Sequence, residues 1–135
     1  MKSSTSTDTV TPPRPTPAEL EILRVLWKLG PATVRRVHET VNENSSAGYT
    51  TVLKFLQIMH QKGLVDRDES QRAHVYAARF SKDSTQQQLT RHLLDKVFDG
   101  SRSQLVLHAL GDSKATPEEL AQIRAMLDRL ERSES

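Results

Sequence analysis

None of the chain's 135 residues is cysteine. That excludes disulfides, thiolate metal sites and cysteine nucleophiles, and it suits a reducing, cytoplasmic setting. No apolar run approaches the roughly 18 residues that a bilayer span needs, so no membrane role is expected. Residues 1–15 are rich in Ser, Thr and Pro without an apolar stretch, and they read as a disordered tail rather than a secretory signal. There is no Gly-rich phosphate loop and no nucleophile elbow. The five histidines, His38, His60, His74, His92 and His108, fall at no metal-ligand spacing. Neither an enzyme nor a cofactor or metal site is expected.

What is present is arranged unevenly. The formal net charge of +2 is too weak to argue for a polyanionic partner by itself. Residues 14–80, however, hold ten Lys/Arg against seven Asp/Glu, whereas residues 81–135 hold eight against nine. The first half is therefore the better candidate for meeting phosphates.

Thr16-Pro17-Ala18-Glu19 is a capping box with Pro at the first helical position, and it predicts a helix start. Leu20, Leu23 and Trp27, flanked by Ile22, Leu26 and Leu29, supply a broad apolar face before Gly30-Pro31 stops it. Thr33 can cap a second, shorter helix with Val34, Val37 and Val41 at helical spacing. A polar, turn-rich stretch from Asn42 to Gly48 leads to a third helix from about Tyr49 to Lys62, whose inward stripe is Val52, Leu56 and Met59 and whose stop is Gly63. The period then changes. Leu64-Val65-Asp66-Arg67 and Ala73-His74-Val75-Tyr76 read as two short strands around a polar turn, Asp68 to Arg72. The expected fold class is mainly α with a small β-ribbon: a winged helix-turn-helix over residues 16–80, followed by a helical dimerisation domain over residues 81–135.

That second half carries three helical patterns, the last opened by a second capping box, Thr116-Pro117-Glu118-Glu119. Its stripes include Leu89, Leu93, Val97, Phe98, Leu105, Leu107, Leu110, Ile123, Leu127 and Leu130. Three short helices of this kind offer more apolar surface than they can bury on one another, so a second copy of the chain is the expected cover.

In a helix-turn-helix, the inner stripe of the recognition helix packs on the core while its N-terminal turns meet base edges. With Val52, Leu56 and Met59 inward, the groups left for DNA are Tyr49, Thr50, Thr51, Lys54 and Gln57. Hydroxyls, a thymine-matching methyl and long donors suit the major groove. Arg67, Arg72 and His74 on or beside the ribbon, and Arg35 and Arg36 early in the second helix, are the candidate backbone contacts.

Tyr49-Thr50-Thr51-Val52, Leu56, Lys62-Gly63-Leu64-Val65 and Arg72-Ala73 leading to Tyr76 resemble the penicillinase-repressor family (BlaI/MecI/CopY). So do the opening Ala18-Glu19-Leu20-Glu21-Ile22-Leu23 with Trp27, and downstream Val97-Phe98-Asp99-Gly100-Ser101, Leu105-Val106 and Glu118-Glu119-Leu120. The resemblance runs from about Thr16 to Leu130. It implies a homodimeric transcriptional repressor on a dyad-symmetric, double-stranded operator, with Tyr49, Thr50, Thr51 and Lys54 at recognition-helix positions and Arg72 and His74 on the wing. It also implies a sensor protease as partner. In the antibiotic-responsive members that protease cuts an Asn–Phe bond, and here the pair is His108-Ala109. Sensing through the cysteine cluster of the copper-responsive members is excluded. Gln71 stands where many relatives place a wing glycine. Two other functions fit the residues: a protein-interaction module on the same fold, and a regulator that senses a small molecule.

Overall fold

Thr16 begins the first helix as its sequence predicts. In the computed structural model, which describes residues 13–43, 46–112 and 114–134, its hydroxyl accepts from the Glu19 amide at 3.2 Å and its own amide donates to Glu19 Oε1 at 2.9 Å. Helix α1 then runs Pro17–Leu29 and ends at Gly30, whose φ of 81° is open to glycine at no steric cost. The tail expected over residues 1–15 lies, up to residue 12, outside the described residues, as do residues 44 and 45 of the polar turn.

Helix α2, Val34–Val41, is capped by Thr33, whose hydroxyl accepts from the Arg36 amide. Helix α3, Tyr49–Lys62, closes on Gly63 at φ 85°, after which the Leu64 amide returns to the Met59 carbonyl at 2.9 Å. A side chain at Gly63 would be strained by that φ, and its Cβ would sit 3.3 Å from Arg79 Nη1.

The ribbon differs from its expected form in two ways. Strands β2, Val65–Asp68, and β3, Val75–Ala78, replace the predicted Leu64–Arg67 and Ala73–Tyr76. Leu64 is engaged in the α3 cap, and the Ser70 amide donates to Asp68 Oδ1 to form an Asx turn that opens the wing loop. In addition a third strand, β1 (Ala32–Thr33), pairs with β3 through Ala32↔Tyr76 and Thr33↔Val75, so the antiparallel sheet has the order β1-β3-β2. The opposite pairing sets Val65 against Ala78 and Arg67 against Tyr76.

One core joins these elements. Leu23 and Leu26 of α1, Val37 of α2, Val52, Leu56 and Met59 of α3, and Val65 and Tyr76 of the sheet are all at most 2% exposed. Three helices and a three-stranded wing around that core make a winged helix. Glu19 is buried within it, and Lys62 at the far end of α3 reaches its carboxylate at 2.8 and 2.9 Å.

The chain divides into two units, the first reaching Arg91 and the second spanning His92–Ser135. Helix α4, Lys82–Lys96, begins in the first unit, where Thr85 is buried and the Trp27 indole N–H donates to the Phe80 carbonyl at 3.0 Å. The second unit holds the end of α4, then α5 (Arg102–Gly111) and α6 (Pro117–Glu134). Ser101 caps α5 through the Gln104 amide, and the Thr116/Glu119 capping box opens α6 as its sequence predicts.

Candidate nucleic-acid interface

Helix α3 has two distinct flanks. Its inner stripe is sealed, with Val52 at 1% and Leu56 and Met59 at 0% exposure. Thr50, Thr51, Lys54 and Gln57 lie exposed on the remaining surface, and Tyr49 at the first turn is 48% exposed. The helix starts at Gly48 with no side-chain cap and no acidic residue in its first turn. Its leading amides and the positive end of its dipole therefore have no carboxylate of their own helix to satisfy them.

Beside that flank a cleft of about 450 Å³ opens between α3, the start of α2 and the wing. Six of the predicted residues line it together: Arg35, Tyr49, Gln57, Arg67, Arg72 and His74. Thr33, Val34, Leu53, Ala73 and Tyr76 complete the wall, and the pairing of Thr33 with Val75 and of Arg67 with Tyr76 brings the strand residues to it. Arg36 is exposed on α2, and Lys54, Thr50 and Thr51 occupy the open face of α3 rather than the cleft.

The cations are not equivalent. Arg67 is half-buried, and its guanidinium is bound within the wing to Glu69 at 2.6 Å, with Tyr76 opposite it in the strand register. Arg35 approaches Glu39 one turn along α2 only loosely, at 3.9 Å, and both side chains are largely in solvent. Such exposed pairs are worth little, so Arg35 can turn to another anion at small cost. Arg72 and His74 are exposed on the wing. Tyr49 is placed by His38, whose ring meets it edge to face at 5.8 Å, a contact across α2 and α3 that no sequence spacing announced.

In the second unit none of the described residues is buried. Of the apolar residues expected to dimerise, Leu93, Val97, Leu107, Leu127 and Leu130 are 42–62% exposed, joined by Val106 and Met126. Phe98, Leu105, Leu110 and Ile123 are half-buried. Leu89 belongs to the first unit, where it lines a separate cleft with Leu20 and Trp27.

Comparison with known proteins gives a consistent result. A family model described as penicillinase repressor matches residues 15–129. The transcriptional regulator BlaI of Mycobacterium tuberculosis is 35% identical over 92 residues, 67% of each chain. The penicillinase repressor of Bacillus licheniformis is 22% identical over 116 residues, covering 86% of this chain and 91% of that one. The methicillin resistance regulatory protein MecI of Staphylococcus aureus is 19% identical over 112 residues, covering 83% and 91%.

Proposed function

Because this chain belongs to the penicillinase-repressor family, we propose that it is a DNA-binding transcriptional repressor that inserts α3 into the major groove of an operator. The observation that carries this reading is the contrast between the flanks of α3: a fully buried stripe opposite an exposed row of Thr50, Thr51, Lys54 and Gln57, beside a cleft carrying arginines. Thr51 and Lys54 read base edges. The uncapped start of α3 takes a phosphate on its free amides. Arg72 and His74 from the wing, and Arg35 and Arg36 from α2, hold the sugar-phosphate backbone and fix the register without reading sequence.

Two copies act together. The apolar surface of the second unit, uncovered within one chain, is closed by a second chain. The two α3 helices then fall on half-sites about one helical turn apart, roughly 34–36 Å, or a multiple of that. The winged helix over residues 16–80 is the DNA-binding part and residues 81–135 are the dimerising part. A repressor with this task works in the cytoplasm and needs no catalytic group. Release through a protease of the family's Asn–Phe specificity is disfavoured, since His108-Ala109 occupies that place.

Two substitutions separate the roles. Thr51→Ala or Lys54→Ala is expected to cost about 1–3 kcal/mol on the cognate operator and to relax preference at one base pair. Arg72→Ala is expected to weaken all duplexes alike and to lower the slope of log K against log salt by about one. Titration of cognate and scrambled duplexes at several salt concentrations reads both. Operator affinity unchanged by all three substitutions would refute the assigned surface.

A further inference from the structure

A second cleft, away from α3 and the wing, is chemically unlike the first. It lies in the first unit between α1 and the first turns of α4, has a volume of about 550 Å³, and is lined by Leu20, Arg24, Trp27, Lys28, Lys82, Gln86 and Leu89. Three of those residues are apolar, three are cationic and none is acidic. Arg24 and Lys28 stand one turn apart on α1, an i,i+4 pair of like charges that destabilises a helix slightly unless an anion joins it. Among the described residues none of the three cations is ion-paired. Glu21 and Glu43 line a neighbouring cleft that Arg24 and Lys28 also border, but neither acid is ion-paired to them among the described residues, and Asp83 accepts from the Gln87 side-chain amide at 3.1 Å. Trp27 is half-buried, and its indole is fixed by the bond to the Phe80 carbonyl, so the apolar wall is held in place. A concave apolar surface of this size with a few convergent polar groups is the usual form of a small-molecule site.

We propose that this cleft binds a small amphipathic carboxylate, its hydrocarbon or aromatic body against Leu20, Trp27 and Leu89 and its carboxylate among Arg24, Lys28 and Lys82. Arginine gives a carboxylate two parallel donors, and the lysines add charge at the rim. The operator surface does not use these residues, so the two sites can be tested separately.

Trp27 is the chain's only tryptophan, so its indole N–H gives one resonance in a ¹H–¹⁵N spectrum of the full-length protein. Benzoate is the probe, with neutral benzamide and inorganic phosphate as controls. Benzoate is expected to move that resonance saturably, with a Kd on the order of 1 mM for so small a ligand. Benzamide and phosphate should each bind about tenfold more weakly, because each lacks one half of the recognition. Arg24→Gln and Lys82→Gln, both at exposed positions, should weaken benzoate by a similar factor while leaving the other resonances in place. An unresponsive indole overturns the proposal, as does equal binding of benzamide or of phosphate. Unchanged benzoate binding in both variants places the ligand elsewhere and also overturns it. So does an indole shift that follows protein concentration instead of benzoate, which would mean a second copy fills the cleft.

Discussion

Replacing Lys62 by methionine is expected to destabilise the winged helix by about 1–3 kcal/mol, because it strands a buried carboxylate while the ammonium it removes is itself 35% exposed and partly screened. Glu19 is 2% exposed, and the Lys62 ammonium donates to both of its oxygens. The same carboxylate closes the α1 capping box on the Thr16 amide. Burial alone would raise the pKa of Glu19, but the hydrogen bond from Lys62, the Thr16 amide and the ammonium charge together outweigh it and hold the group below its ordinary range. A carboxyl with a depressed folded-state pKa contributes stability that is present above its unfolded value and is lost as pH falls through the folded one. The parent should therefore lose stability on acidification through the carboxylate range, and the Lys62→Met variant should lose less of it there. Glu19→Gln keeps a group able to cap α1 but removes the charge, so it isolates the ionic part. Urea unfolding followed by Trp27 fluorescence at neutral and acid pH measures both effects. A Lys62→Met variant within about 0.5 kcal/mol of the parent would show the pair to be ornamental.

Leu127→Glu is expected to abolish tight binding to a full operator while leaving the winged helix folded. Leu127 is 54% exposed in a unit without a single buried described residue. A carboxylate there adds little strain to one chain but would be desolvated between two. Joining two half-site contacts in one particle multiplies affinity by roughly 10²–10⁴, and a monomer forfeits that factor. The variant should sediment as a monomer and bind a full dyad no better than one half-site, whereas the parent should prefer the dyad strongly. A parent that is itself monomeric at the concentrations where it binds would contradict the dimeric reading, as would a monomeric variant that still prefers the dyad.

The residues that announced themselves did so through local chemistry. Both capping boxes, the Thr33 cap, the Gly63 stop and the inward stripe of α3 were readable because each needs only neighbours within one turn. Strand β1 was not. Two residues carry no period, and Ala32-Thr33 becomes a strand only because Tyr76 and Val75 are brought alongside. The same holds for Arg67, which reads as a free wing cation until the register sets it opposite Tyr76. Composition shifts at Ser81, yet Thr85 is buried with the first unit, since burial follows tertiary contact rather than residue type. The Glu19–Lys62 pair and the α1–α4 cleft join positions far apart in sequence, and nothing local foretells them.

The wing also limits how these molecules can misassociate. A sheet edge with unpaired amides and carbonyls invites a foreign strand to continue it. Here one outer edge is β1, only two residues long, and the other is β2, three of whose four residues, Asp66, Arg67 and Asp68, are charged. The hydrophobic strand β3 lies between them, paired along its whole length with β2 and at Val75 and Tyr76 with β1. The wing thereby offers a foreign strand only a two-residue edge on one side and a charged edge on the other, both poor templates for further pairing.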